Sequence, residues 1–217
     1  MKKTAVVMMI LVMFASIPSG YIRNFDFEIV QLIGKIVLLD AELEKQQHKI
    51  VLVEKKEKEL FDQLVVQDIN DTEKIQSLVE NTLECAKKRK DMIENEEKII
   101  QQSMQTLEAV SFLLGKIKVT SLKKEINKVM VSVQERNQIH EQLVEVYKRS
   151  IQEDITLYSL WNKKSVTISQ LEKQIDFVND SYEKVEEANV NYNIAKLELE
   201  KVRNQFFLEK QQYYSIK

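Results

Sequence analysis

The chain has little of what ends regular structure. Of its 217 residues one is proline and three are glycine, and Pro18 and Gly20 both fall near the N-terminus. Residues 21–217 therefore hold no proline and only Gly34 and Gly115. Turns are written mostly with Gly, Pro, Asn and Asp, so sandwiches, barrels and doubly wound sheets are excluded. A single cysteine, Cys85, excludes a disulfide framework within the chain. His48 and His140 are the only histidines, and neither has a histidine four residues on or an acidic cluster at ligand spacing. No metal site is expected from them. With two isolated glycines after residue 20 there is no phosphate-cradling loop, and the carboxylates are scattered rather than paired in a way that suggests a cleft. No catalytic residue and no cofactor are expected. Neither sign of charge dominates, since 32 basic residues face 34 acidic ones for a net charge of -2. A nucleic-acid binder would show a basic excess on one face, so nucleic acid is not an expected partner.

What is present is helical periodicity. In 42–64, ELEKQQHKIVLVEKKEKELFDQL, the residues Leu43, Ile50, Val53, Leu60 and Leu64 mark a seven-residue repeat with Gln46 and Glu57 as its polar members. That is one apolar stripe on a long helix, and a single helix cannot bury it. Leu32, Ile36 and Leu39 continue the stripe, and the first helix is expected over Tyr21 to Gln67, with Gly34 marking the start of the folded bundle. Asp68, Asn70 and Asp71 supply a turn, with Asp71 or Thr72 as N-cap.

A second helix is expected from about Glu73 to Lys118, its stripe running through Ile75, Leu78, Cys85, Met92, Ile93, Ile100, Leu107, Val110, Leu114 and Ile117. Arg89, Glu96 and Ser103 interrupt that stripe, which predicts a loosened core. Leu122 to Trp161 gives a third, through Ile126, Val129, Val133, Leu143, Tyr147, Ile151, Ile155 and Tyr158. Thr167 and Gln170 have the spacing of a capping box and open a fourth, through Leu171, Ile175, Val178, Tyr182, Val185, Tyr192, Leu199, Val202 and Phe206, ending near Tyr213. Long helices joined by breaks of a few residues double back on one another. The expected fold is all-α, an elongated antiparallel bundle of three to four long coiled-coil-like helices over 21–217. Exposed pairs such as Glu54 with Lys58 and Glu145 with Arg149 support the outer faces by about 0.2–0.5 kcal/mol each.

Residues 1–20, MKKTAVVMMILVMFASIPSG, have two lysines, an apolar run and small residues in the order of a secretory signal peptide. The run Ala5 to Ala15 is short for a membrane span of about 20 residues, so export is the expectation and an uncleaved N-terminal anchor the alternative. Loss of Lys2 and Lys3 would leave 30 basic against 34 acidic residues, a net charge of -4.

Four blocks carry a family likeness: VEKKEKELFDQL at 53–64, KKRKDMIENEEKII at 87–100, SLKKEINKV at 121–129 and LEKQIDFVNDSYEKVEEAN at 171–189. Together they resemble the YkyA-like family, labelled cell-wall-binding lipoproteins, of Bacillus and related Gram-positive bacteria. The resemblance covers about Leu39 to Phe207. It implies an exported helical protein of the cell envelope, tethered through a lipidated cysteine on the outer face of the cytoplasmic membrane or held at the wall. Its partner would be a cell-wall polymer or an envelope protein, with the membrane surface in reach. The chain departs from that pattern at Ser19-Gly20-Tyr21, a degenerate lipobox in which Tyr21 stands where the acylated cysteine would be.

Two candidate contacts follow. The run Lys87, Lys88, Arg89, Lys90 is a candidate contact for the phosphates of a wall polymer or lipid headgroups, against the reading of a solvated helix face. Tyr158 and Trp161 are candidates to stack on wall sugars, against the reading that they belong to the core. The function expected is a non-catalytic exported envelope protein, a wall binder or a spacer or adaptor. A membrane-active, toxin-like protein, motivated by AVSFLLGKIKV at 109–119, and an intracellular coiled-coil adaptor are the alternatives.

Overall fold

The structure, a computed structural model, describes residues 24–68, 70–117, 120–163 and 165–215. Among these are four long helices: α1 (Asn24–Val65), α2 (Thr72–Leu114), α3 (Thr120–Trp161) and α4 (Ile168–Ser215). No strand occurs among the described residues. The degenerate lipobox Ser19, Gly20 and Tyr21, and the N-terminal segment to which it belongs, lie outside the described residues.

The helix ends follow from side-chain chemistry. After α1, the Asn70 backbone N–H donates to Asp68 Oδ1 at 3.0 Å, and Asp71 Oδ1 accepts from the Lys74 N–H at 3.1 Å. A short side-chain oxygen there takes up a backbone donor that the first turn leaves without a partner. At α4 the capping box forms in both directions: Thr167 N–H donates to Gln170 Oε1 at 2.9 Å, and Gln170 N–H to Thr167 Oγ1 at 3.2 Å. Thr167→Ala is expected to cost about 1 kcal/mol of stability. Urea denaturation checks this, and no change would mean that the box is incidental.

The four helices form two compact units. Residues 24–44 of α1 lie in one unit with Lys98–His140 and the part of α4 from Tyr192 onward. Lys45–Glu97 and Glu141–Asn191 form the other. In the first unit Ile29, Ile33, Ile36, Leu107, Val110, Val129, Val133, Leu199 and Phe206 form one apolar cluster. Since Ile29 and Ile33 are buried in it, α1 already packs on the N-terminal side of Gly34 and passes through that glycine without a break. Gly34 therefore does not mark the start of the bundle. A Cβ there would meet nothing within 4 Å, so glycine is not required for packing.

Helix directions can be read from contacts within each unit. In the first, Asp40 meets Arg203 and Glu44 meets Lys196, so α1 and α4 run antiparallel. In the second, Tyr147 reaches Glu54 and Tyr158 reaches Glu57, so α1 and α3 run parallel there. This is the arrangement that alternating up and down helices with short connections produce.

The described part of the apolar segment 109–119, residues 109–117, packs in the first unit. Val110, Leu113 and Leu114 are buried, while Phe112 is exposed with the Lys116 ammonium 4.1 Å from its ring centre. Among the described residues no helix is long and apolar enough to cross a membrane.

Candidate functional site

Two of the polar residues that interrupt the stripes, Glu57 of α1 and Arg89 of α2, meet in the core of the second unit. Glu57 and Arg89 are both buried, and Arg89 is the largest fully buried side chain among the described residues. Its Nη2 donates to Glu57 Oε1 at 2.8 Å and also to Asp154 Oδ2 of α3. Its Nη1 donates to the Tyr182 hydroxyl of α4 at 2.7 Å. Nε lies 2.7 Å from Glu57 Oε2, an ion-pair contact without the alignment of a hydrogen bond. Tyr158 donates to Glu57 Oε1 at 2.8 Å and Tyr182 to Asp154 Oδ2 at 2.8 Å. Tyr147 donates to Glu54, whose carboxylate stands 3.9 Å from Arg89. One guanidinium thus joins all four helices.

Burial pushes the Glu57 carboxyl above its ordinary range, against the pull of Arg89 and with the nearby Asp154 adding to the rise. Asp154 is pushed up in the same way by burial, again opposed by Arg89. Burial works against the Arg89 charge too, but Glu57 and Asp154 outweigh it and the guanidinium stays protonated. The hydroxyls of Tyr147, Tyr158 and Tyr182 are pushed well above the usual phenol range, first by burial and then by the neighbouring carboxylates. They remain neutral donors.

This changes the reading of the basic run. Arg89 faces the core and takes no part in any surface contact, while Lys87, Lys88 and Lys90 are exposed. Helix geometry turns each residue by about 100°, so Lys87 and Lys90, three apart, leave α2 about 60° from each other on one side, while Lys88 is turned about 100° from Lys87. Lys88 already pairs with Glu84 at 2.5 Å. The expectation that Arg89 loosens the core also gives way, because its polar atoms are held by groups from three other helices. Tyr158 is buried and hydrogen-bonded to Glu57, so it belongs to the core and is not a platform for sugars; Trp161 is half-buried.

A second polar layer crosses the first unit. Asp40 of α1 accepts from Arg136 of α3 at 2.5 Å on one oxygen and from Arg203 of α4 at 2.8 Å on the other. Asn137 donates to Ser103 at 3.2 Å, and His140 packs edge-on against Tyr192 with ring centres 5.1 Å apart. The stripe of α3 passes from Val133 to Leu143 without an apolar member because Arg136, Asn137 and His140 fill the inward positions. Cys85 is buried, and burial raises its thiol above the usual range, which makes it a poor nucleophile. His48 is exposed, and no group of three or more His, Cys, Asp or Glu able to hold a metal occurs among the described residues.

Asp154, Asp40 and Arg136 were not picked out by periodicity. The signal was nonetheless there: Asp154 stands seven residues after Tyr147 and four before Tyr158, in phase with the stripe. Charges of opposite sign in phase on separate helices are expected to meet, because each needs a partner once buried.

Residues 27–209 match the family described as "Putative cell-wall binding lipoprotein", YkyA. The chain belongs to this family. A crystal structure of a conserved protein of unknown function from Staphylococcus aureus has the same fold, with a TM-score of 0.70 at 20% identity over 86% of this chain and 98% of that one. No curated protein matches. The family match spans both polar layers, so the Arg89 and Asp40 clusters lie within the family's own extent.

Proposed function

We propose that this chain is an exported, non-catalytic protein of the cell envelope that binds anionic wall polymer through the outer surfaces of its helices. The match to the family over 27–209 is the observation that carries this reading. The placement of ionisable groups supports it. The buried carboxylates Glu57 and Asp154 are engaged by Arg89 and by tyrosine hydroxyls, and Arg136 and Arg203 by Asp40. These groups serve the fold. Facing solvent on α2 are Lys87, Lys88 and Lys90, interspersed with the exposed carboxylates Glu84 and Asp91, and Lys56 of α1 is close enough to Glu84 to act on its charge. Lysine ammonium groups on flexible stems suit the phosphates of a polymer that follows a helix surface.

Sedimentation with purified cell-wall sacculi tests the proposal. The protein is expected to pellet, and pelleting to weaken as salt rises through about 0.1 M, where exposed charges are screened beyond about 10 Å. Replacing Lys87, Lys88 and Lys90 together by alanine is expected to weaken it only in part, since each exposed contact contributes little. A protein that never pellets overturns wall binding. Undiminished pelleting of the triple variant removes these lysines from the contact.

A further inference from the structure

Glu57 and Asp154 place one oxygen each on the same nitrogen, Nη2 of Arg89. Two acceptors on one nitrogen stand at most about 6 Å apart, twice the length of a hydrogen bond. Both side chains are almost fully buried, and a single guanidinium faces them. With both carboxylates ionised, the buried sum is one negative charge in excess. Two carboxylates that share so small and dry a space do not both ionise readily.

The surrounding charged and titratable groups do not cancel that excess. From α1 comes Glu54, which adds negative charge but is about a third exposed and so screened by water. On α2 Cys85 feels Glu57, and its raised thiol stays neutral. Tyr147 and Tyr158 on α3 and Tyr182 on α4 are neutral donors. Glu153 of α3 also acts on Asp154, and it accepts from Gln174 of α4 at 2.7 Å. Arg89 is the positive charge within hydrogen-bond reach of both carboxylates.

We infer that Glu57 and Asp154 bind one proton between them and act as a pH-operated latch on the four helical segments of the second unit, closed when the proton is bound and loosened when it leaves. The direction follows from linkage. Both carboxyl groups sit above their ordinary range in the folded chain, so the folded state binds the proton more tightly than the unfolded one. The stabilisation is fully present below the ordinary carboxylate range and is lost as pH rises through the folded value. The latch therefore tightens in acid.

Carbon-13 titration of the intact protein tests the protonation itself. One of the two carboxyl signals, Glu57 Cδ or Asp154 Cγ, is expected to titrate above the ordinary carboxylate range. Two ordinary titrations overturn the inference. Native-state hydrogen exchange, with intrinsic rates divided out, tests the consequence. Amides around Arg89, Asp154 and Tyr182 are expected to gain up to about tenfold protection for each pH unit lowered within the window, the limit for one linked proton. In Glu57→Gln and in Asp154→Asn, each of which leaves Arg89 one carboxylate, that gain should vanish. If either folded variant keeps the full pH dependence, the latch is not these two groups.

Discussion

Replacing Arg89 by methionine is expected to lower stability by about 3–5 kcal/mol, although methionine suits a buried helix position. The loss comes from what the substitution leaves behind. Glu57 and Asp154 remain buried with no cation between them, and removing one partner of a buried ionic network costs far more than the intact network contributes. Arg89→Lys is also expected to be costly, because an ammonium cannot present the planar set of donors that now reaches Glu57, Asp154 and Tyr182 at once. Trp161 is the single tryptophan and closes α3 within the second unit, so its fluorescence during urea denaturation reports on the affected region. Adding Glu57→Gln and Asp154→Asn to Arg89→Met should recover much of the loss by removing the stranded charges. An Arg89→Met protein within about 0.5 kcal/mol of the parent, the range of an ordinary surface change, would show that the network does not support the fold.

Leu43→Ala is expected to cost about 2–5 kcal/mol, while Val53→Ala, on the same seven-residue repeat, costs about 1 kcal/mol or less. Periodicity assigns the two positions one role. The structure separates them, for Leu43 is fully buried and Val53 is half-buried. A large-to-small change loses the transfer free energy of the removed atoms and leaves a cavity, and both contributions shrink where water already reaches the side chain. Chemical denaturation of the two variants side by side checks the difference. Equal losses would mean that the repeat, rather than local burial, sets the energetics of α1.

Much of the architecture is legible in the chain itself. Scarcity of Gly and Pro, apolar residues at spacings of three and four, the Asp71 cap and the Thr167–Gln170 box are local features, and local features determine where helices start and stop. Polar residues in phase with the stripes were legible too, but their meaning was not. Taken one helix at a time, Arg89 looks like a defect in α2 or part of a surface run with Lys87, Lys88 and Lys90. Only tertiary packing brings Glu57, Asp154 and Tyr182 around it, from positions 32, 65 and 93 residues away in the chain. The same holds for Asp40, whose two arginines come from positions 96 and 163 residues distant.

The sequence by itself thus determined the helices, their apolar faces and the family, because each of these is written in residues that are near neighbours or in an ordered set of blocks. Tertiary structure alone decided which charges face inward and with whom they pair. The physical reason is that a charge is costly to bury alone and tolerable when matched, so its place depends on partners that no single helix contains.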